Sequence, residues 1–286
     1  MRIFVLPLPH AMGGDFSRKT TETMKKLVIA GCGRLGSVVA EAVAARMLPE
    51  YELVGLFSRT AARAEALAER LAARGVTCRV CRSLDELLAL GPDYLVEAAS
   101  PAAMRELALP TLAAGCSIVT LSIGAFADDA FYAETARTAA AHGTRVYLAS
   151  GATGGFDVLR TATLMGGATA SFFNEKGPNA LKGTPVYDEA LQHEARTVFA
   201  GTAAEAIAQF PTKVNVTVAA ARASVGPAAM HVTMRSTPDF TGDTQRVEIR
   251  NEQVRAVVDV YSATPEIAAW SVVAVLRNIV SPIVFG

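Results

Sequence analysis

A chain of 286 residues is longer than one small hydrophobic core requires, which predicts two domains or one domain with a large insertion. Its 27 Lys and Arg residues balance 27 Asp and Glu residues without any basic run, so we expect no nucleic-acid partner. The longest uncharged stretch, 107–127, is interrupted by Pro110, Gly115 and Gly124, which favours a helix, a turn and a strand over a membrane span. We expect a cytoplasmic protein that acts on a small molecule, with no membrane partner.

Residues 1–23 precede the first regular pattern, and we interpret them as a loose N-terminal extension or as the product of a start codon upstream of Met24. Pro7 and Pro9 interrupt the opening apolar run, so no export signal is predicted. All four cysteines lie in the first half of the chain. Cys78 and Cys81 form a CxxC with no second pair, which favours reduced apolar thiols over a metal or redox site, and no metal is predicted.

From residue 24 to residue 150, short apolar runs alternate with alanine-rich helical patterns. The apolar runs are KLVIAG, YELVGLFS, VTCRV, YLVEAA, SIVTLS and RVYLAS, and the helices are predicted over 37–48, 60–74, 83–90, 101–115 and 127–142. Such alternation is typical of an α/β fold with a doubly wound parallel sheet. We therefore predict a Rossmann dinucleotide-binding domain over 24–150.

After Gly151 the pattern changes to that of a second, α+β domain over 151–263. A glycine-rich turn and a helix are predicted first, then a loop over SFFNEKGPNALKGTP (171–185) and helices near 202–210 and 215–224. Three β-branched segments follow, which predict a mainly antiparallel sheet. The last pattern, within 264–286, predicts a helix that packs back on the first domain, with Trp270 in the core.

The hexapeptide GCGRLG follows a strand and opens a helix, the context in which GxGxxG predicts a dinucleotide site. Gly31 permits the tight turn, Gly33 lets the backbone approach a pyrophosphate, and Gly36 allows close packing of helix on strand. Arg34 and Leu35 lie between them and are included in the predicted site. A plain glycine turn is the alternative.

The second strand ends in Phe57-Ser58-Arg59-Thr60, where an acidic residue would bind the ribose 2′-hydroxyl of NAD. Ser58 and Arg59 suit a 2′-phosphate instead, because a guanidinium offers a forked set of donors to it. NADP is therefore the preferred cofactor, and NAD is still possible. The alternative is that Arg59 is an ordinary solvated side chain.

The octapeptide SGATGGFD (150–157) presents several backbone amides before a helix, so Gly151, Gly154 and Gly155 are predicted to hold a substrate carboxylate. Asp157 is either a functional carboxylate or a residue that stabilises the helix start. The candidate cations for a dicarboxylate are Arg160, Lys182, Lys213 and Arg246.

Several motifs together resemble the L-aspartate dehydrogenase family, which is similar in architecture to dihydrodipicolinate reductase and homoserine dehydrogenase. They are GCGRLG, VEAASPAA, SIGAFAD, SGATGGFD, ALKGTP, VFAGTAAEAIAQFPTKVNV and PEIAAWSVVAVLRNI, and they cover the chain from Met24 to its C-terminus. The resemblance implies oxidation of L-aspartate with NAD or NADP to iminosuccinate, which hydrolyses to oxaloacetate or enters pyridine nucleotide synthesis. It also implies a homodimer.

By the same resemblance, Ala125 and Asn215 fall at nucleotide-contacting positions; a close-packed strand end and a helix N-cap are the respective alternatives. One stretch departs from the family pattern, which has a catalytic histidine in an Asn-x-His-x-Ile-like strand motif. The corresponding residues here are Asp243-Thr244-Gln245-Arg246-Val247, so Gln245 occupies the position of the histidine. Glutamine cannot exchange a proton near neutral pH, although it can orient water or bond a polar substrate atom.

Four other side chains are candidates to handle the proton, namely His193, His231, Asp243 and Asp157, with a surface location as the alternative for both histidines. The predicted function is that of an NAD(P)-dependent, aspartate dehydrogenase-like oxidoreductase acting on a CH–NH2 group. The alternatives are an imine or amino-acid reductase with a different substrate and a catalytically impaired, NADP-binding homologue.

Overall fold

The structure is a computed structural model that describes residues 24–211 and 214–285. The predicted N-terminal extension and the candidate cation Lys213 lie outside the described residues. Within these ranges, no helix is both long and apolar enough to cross a membrane. The described elements form two β-sheets, and helices pack against each of them.

The first sheet has six strands, all parallel. The strands are Lys25–Ala30 (β1), Tyr51–Phe57 (β2), Arg79–Cys81 (β3), Tyr94–Glu97 (β4), Ser117–Thr120 (β5) and Val146–Leu148 (β6). The helices are Arg34–Ala44 (α1), Ala61–Ala72 (α2), Leu84–Leu88 (α3), Pro101–Ala113 (α4) and Asp129–Ala141 (α5). The strand order β3-β2-β1-β4-β5-β6 changes direction between β1 and β4, where a crevice opens at the carboxyl ends of the strands. The predicted Rossmann fold is confirmed.

Both faces of this sheet are covered, which explains why its strands are continuous apolar runs. On β1, Leu27 and Ile29 belong to one hydrophobic cluster, while Val28 and Ala30 belong to the cluster on the opposite face. Side-chain caps fix some of the helix starts. Ser83, for example, accepts a hydrogen bond from the Glu86 amide at the start of α3, at 3.1 Å.

The second sheet has five strands and is mainly antiparallel, as predicted, since three of its four neighbouring strand pairs run antiparallel. The strands are Thr169–Lys176 (β7), Arg196–Thr202 (β8), His231–Ser236 (β9), Asp243–Arg250 (β10) and Arg255–Ser262 (β11), in the order β11-β10-β7-β9-β8. The helices are Phe156–Leu164 (α6), Ala203–Gln209 (α7) and Asn215–Arg222 (α8).

The loop predicted over 171–185 is wrong over 171–176, because Thr169–Lys176 forms the central strand of the second sheet. Alternate residues of β7 are buried, beginning with Ala170 and Phe172. The inward positions become polar toward the end of the strand, which hides the alternation from a sequence pattern. Strand β8 was not predicted either, and both of its faces are only partly buried.

The last helix, Glu266–Val280 (α9), packs against α1 of the first sheet. Its buried side chains include Val272 and Leu276, and the Tyr51 hydroxyl on β2 donates to the Leu276 carbonyl at 2.7 Å. Trp270 lies off this buried stripe and is 43% exposed, so the prediction that it belongs to the core is wrong. The domain boundaries drawn from the sequence stay a prediction.

Candidate functional site

In the glycine loop between β1 and α1, backbone atoms lie close to Gly31 and Gly36, whereas Gly33 faces open space. A Cβ on Gly31, whose φ is +106°, would lie 2.6 Å from the carbonyl atoms of Ala98, and one on Gly36 would lie 1.9 Å from the Gly31 oxygen. A Cβ on Gly33 would meet no atom within 4 Å. No side chain caps α1, whose first amides follow Gly33. A pyrophosphate fits this arrangement, because backbone amides face open space at a helix N-terminus.

A cavity of about 650 Å³ extends from this loop along the carboxyl end of β2. Ser58 and Arg59, which the sequence analysis predicts to bind a 2′-phosphate, line it, and so do Arg63 and Arg82, which sequence reasoning missed. The signal was available, because Arg63 follows Arg59 by four residues at the start of α2 and Arg82 directly follows β3, the strand next to β2. Three guanidinium groups therefore line one end of the cavity.

Two side chains of the glycine loop are engaged within the protein. The Arg34 guanidinium donates to the Glu266 carboxylate at 3.0 Å and to the Thr264 hydroxyl at 3.2 Å, which ties α1 to the start of α9. Cys32 is buried beside Phe57, and burial raises the pKa of its thiol to about 11. This cysteine is therefore a protonated packing residue at neutral pH.

A second cavity, of about 240 Å³, lies between the two sheets and is lined from both halves of the chain. Its lining residues include Leu35, Ser100, Ser122, Gly151, Asn215, Asp243 and Gln245. We call this cavity the cleft. The segment 98–100, which follows β4, lines both the cleft and the larger cavity, so the two spaces meet there.

Two side chains that line the cleft, Asp243 and Gln245, belong to a polar group on neighbouring strands of the second sheet. Asp243 on β10 lies opposite Lys176 on β7, and Gln245 lies opposite Asn174. The Asp243 carboxylate accepts from the Asn174 amide at 2.6 Å and from the Gln245 amide at 2.5 Å, and the Lys176 ammonium is 3.7 Å away. About a third of the Asp243 side chain is exposed, so this carboxylate is held by donors from behind and is open to the cleft.

Asn215 joins the two halves of the chain. Its side-chain oxygen accepts a hydrogen bond from the Gly124 amide at 2.8 Å, in the short 3-10 helix that follows β5. The N-cap of α8 is Val214, so the alternative that Asn215 is a helix cap is wrong. Ala125 is buried beside this contact but does not line the cleft.

Comparison with known proteins assigns the family. A family model described as "Homoserine dehydrogenase, NAD binding domain" matches residues 31–149, and one described as "Aspartate dehydrogenase, C-terminal" matches residues 157–279. L-aspartate dehydrogenase 1 of Bordetella pertussis is 36% identical over 230 residues, which cover 80% of this chain and 84% of that protein. The chain belongs to the L-aspartate dehydrogenase family.

Two further members of the family extend over more of the chain. L-aspartate dehydrogenase of Methanosarcina acetivorans is 30% identical over 92% of this chain and all of that protein. The crystal structure of aspartate dehydrogenase from Thermotoga maritima superimposes with a TM-score of 0.71 at 25% identity, over 92% of this chain and 99% of that one. The resemblance inferred from the motifs is confirmed. As a member of the L-aspartate dehydrogenase family, the chain is an oxidoreductase with a pyridine-nucleotide-binding domain.

Both candidate histidines lie away from the cleft of this dehydrogenase. On β9, the residue in the row of Lys176 and Asp243 is Ser236, whereas His231 is five residues earlier, at the other end of the strand. Five residues of strand span about 16 Å. His193 is exposed and follows a 3-10 helix, Glu189–Gln192.

The predicted substrate-binding residues are only partly brought together. Gly151 lines the cleft, and its amide donates to the Ser271 hydroxyl at 3.0 Å. Gly155 packs instead against Val258 on β11, and Gly154 precedes it without lining the cleft. The remaining candidates, Asp157, Arg160, Lys182 and Arg246, are exposed and do not line the cleft.

One buried carboxylate beside the cleft was missed by sequence reasoning. Glu97 ends β4, is fully buried, and accepts hydrogen bonds from the Ala99 and Ser100 amides at 2.8 and 3.1 Å. It also accepts from the Thr120 and Ser122 hydroxyls at 2.7 and 2.9 Å. Burial raises the pKa of Glu97, and the four hydrogen bonds act in the opposite direction. An acidic residue at the end of an apolar strand, within VEAAS, was the available signal.

Proposed function

We propose that this chain is an NADP-preferring L-aspartate dehydrogenase, which oxidises the CH–NH2 group of its substrate in the cleft. The observation that carries the proposal is the meeting of two cavities at segment 98–100, one beside the glycine loop and one beside Asp243. The bound cofactor supplies the hydride acceptor for amine oxidation and the hydride donor for the reverse reaction. The protein residues bind and orient the two reactants.

Each part of the cofactor site has a distinct role in this proposal. The backbone amides that follow Gly33 bind the pyrophosphate, since an N-terminal helix end favours an anion. The guanidinium groups of Arg59, Arg63 and Arg82, with the Ser58 hydroxyl, bind the 2′-phosphate that distinguishes NADP from NAD. Asn215 holds the segment around Gly124 against the second domain and thereby shapes the nicotinamide end of the cleft.

On the substrate side, Asp243 is placed to bind the α-ammonium group. Its carboxylate is open to the cleft, and opposite charges attract strongly where water is partly excluded. The amides of Asn174 and Gln245 donate to both carboxylate oxygens and fix its orientation. Gln245, at the family's histidine position, is thus a residue that positions Asp243 in this chain.

A second candidate function is oxidation of an amine or amino acid that is not a dicarboxylate. The observation in its favour is the charge of the cleft, where Asp243 is the one charged side chain among the described lining residues. An acidic lining favours an ammonium group over a second carboxylate.

Steady-state assays with purified enzyme distinguish the two functions. A panel of amino acids, with NADP⁺ and NAD⁺ in turn, is followed by absorbance of the reduced cofactor and by release of ammonia. We expect turnover of L-aspartate and a larger kcat/KM with NADP⁺. Turnover confined to other amines would overturn the first function and support the second. The absence of turnover on the whole panel would overturn both.

We extend the proposal to a cytoplasmic homodimer, on the resemblance to the family. Light scattering coupled to gel filtration measures the oligomeric state directly. A mass of two chains is expected, and a single-chain mass at assay concentrations would remove the dimer from the proposal.

A further inference from the structure

Glu97 is a buried titratable group that the proposed function leaves unused, and it is connected to the cleft through one hydroxyl. Ser122 lines the cleft with its side chain hydrogen-bonded to the Glu97 carboxylate at 2.9 Å. Ser122 is also the N-cap of a 3-10 helix, where a serine oxygen ordinarily accepts from a backbone amide. Here it makes no such cap bond and donates to Glu97 instead.

We propose that Ser122 and Glu97 form a proton relay that performs the task of the family's missing histidine. The inference rests on the proposed function, because amine oxidation requires the substrate ammonium to lose a proton before hydride leaves its α-carbon. Ser122 contacts the substrate nitrogen, which makes it a catalytic residue. Glu97 acts through Ser122 as the terminal proton acceptor.

The transfer is balanced. An N–H bond of the ammonium breaks and an O–H bond forms on Ser122, while the original hydroxyl proton of Ser122 moves to Oε1 of Glu97. The amine is then neutral, Ser122 is unchanged, and Glu97 is a carboxylic acid. The proton later returns through Ser122 to water in the cleft, and the same path runs backwards when an imine is reduced.

The hydrogen bonds to Oε1 of Glu97 favour proton transfer through Ser122. Its other two partners are the backbone amides of Ala99 and Ser100, which can only donate. A proton on Oε1 can therefore be shared with one neighbour, the Ser122 oxygen. Thr120 contacts the other carboxylate oxygen, Oε2, and does not line the cleft.

The groups that face Glu97 are few. From β5 and the turn after it they are the Thr120 and Ser122 hydroxyls, and from the turn after β4 they are the Ala99 and Ser100 amides. From β1 the neighbour is Ala30, which has no titratable group. The titratable side chain that shares the cleft is Asp243 on β10. Burial is the largest influence on the pKa of Glu97 and raises it above its ordinary value of 4.5.

The test is the pH profile of kcat with the substrate found active in the panel. For the wild type we expect kcat to fall on the acidic side, because a protonated Glu97 cannot accept a second proton. The Glu97→Gln and Ser122→Ala variants should each lose about 100-fold in kcat. They should also lose the fall of kcat at acidic pH, which we call the acidic limb of the profile. Their NADPH dissociation constants, measured by fluorescence titration, should stay within about 3-fold of the wild-type value.

Thr120→Val is the matched control, because it removes a hydrogen bond to the same carboxylate and the acceptor of the Ser122 amide, while the Ser122 side chain that lines the cleft stays in place. It should keep most of kcat and move the acidic limb to higher pH, since the carboxylate loses a donor that stabilises its charge. If Ser122→Ala keeps the wild-type kcat and the same fall of kcat at acidic pH, the relay is overturned, whether or not Glu97→Gln folds.

A readout without turnover separates this inference from the proposed function. Infrared difference spectra of the wild type against Glu97→Gln, recorded over a pH series, report the protonated carboxyl of Glu97. Uptake of a proton above pH 4.5 is expected even if no amino acid in the panel is oxidised. A Glu97 that stays ionised throughout would overturn the relay and leave the dehydrogenase proposal standing.

Discussion

Asp243 and Gln245 lie at the two positions of β10 where the resemblance to the family implies an asparagine and a histidine. The family motif pairs an asparagine with a histidine, and this chain pairs Asp243 with Gln245, whose amide donates to the carboxylate at 2.5 Å. In place of the neutral amide and the titratable ring of that motif, this chain has an anion and an amide that donates to it. The proposal therefore assigns ammonium binding to Asp243 and proton transfer to other groups.

Replacing Gln245 by histidine tests whether the rest of the aspartate site is intact. In Gln245→His the imidazole would lie beside the Asp243 carboxylate, which favours its protonated form and raises its pKa. We expect kcat for L-aspartate to rise about 10-fold or more, with a new limb in the pH profile. Gln245→Ala is the control and should show no gain; equal rates for the two variants would count against an intact aspartate pocket.

At the scale of elements, the turn between β1 and α1 uses its glycines for different purposes. Gly36 is required by packing, since a Cβ there would lie 1.9 Å from the Gly31 oxygen, whereas Gly33 faces open space. The backbone at Gly33 has φ −81°, which any residue can adopt. A substitution at Gly33 therefore acts on the ligand and one at Gly36 acts on the fold.

The pair of variants Gly33→Ala and Gly36→Ala separates these roles. Gly36→Ala should lower the free energy of unfolding by roughly 3 kcal/mol or more, because β1 and α1 cannot both keep their positions. Gly33→Ala should change it by about 1 kcal/mol or less and weaken NADPH binding about 10-fold or more, because its methyl group occupies the approach to the pyrophosphate. Thermal melts and fluorescence titrations measure the two effects; similar stability losses in both variants would contradict the assignment.

The sequence predicted the first sheet better than the second for a physical reason. Strand segments buried on both faces, such as residues 27–30 of β1, are continuous apolar runs that need no partner to be recognised. The central strand Thr169–Lys176 ends in Asn174, Glu175 and Lys176, and its last two inward residues, Asn174 and Lys176, support Asp243 beside the cleft rather than the core. Polar residues that serve the site therefore replace the apolar residues whose alternation would identify the strand.

The same reasoning separates the site residues that were predictable from those that were not. The glycine loop and Ser58-Arg59 are local motifs, so a short stretch of sequence identifies them. Arg82 and Glu97 lie at or just after strand ends, which was a usable local signal, but their neighbours and those of Asn174 depend on strand pairing between distant segments, which no local spacing encodes. His231 failed as a candidate because its position along β9 depends on the register with β7.

At the scale of the whole molecule, the active cleft exists because the two sheets are tied together at several places. Asn215 binds the segment around Gly124, and Ser271 of α9 binds the Gly151 amide. The helix α9 is anchored in turn by its packing on α1 and by the bond from Tyr51 to Leu276. The nucleotide cavity and the cleft therefore meet at segment 98–100 in a defined geometry.

Calorimetric titration of the wild type and Arg59→Ala with NADPH and with NADH tests the central claim most directly. We predict saturable binding of both cofactors to the wild type, with NADPH the tighter. Arg59→Ala should weaken NADPH binding about 10-fold and leave NADH nearly unchanged, because only NADPH carries the phosphate that this guanidinium contacts. If neither cofactor binds the wild type at millimolar concentration, the glycine loop does not hold a dinucleotide and the account is contradicted.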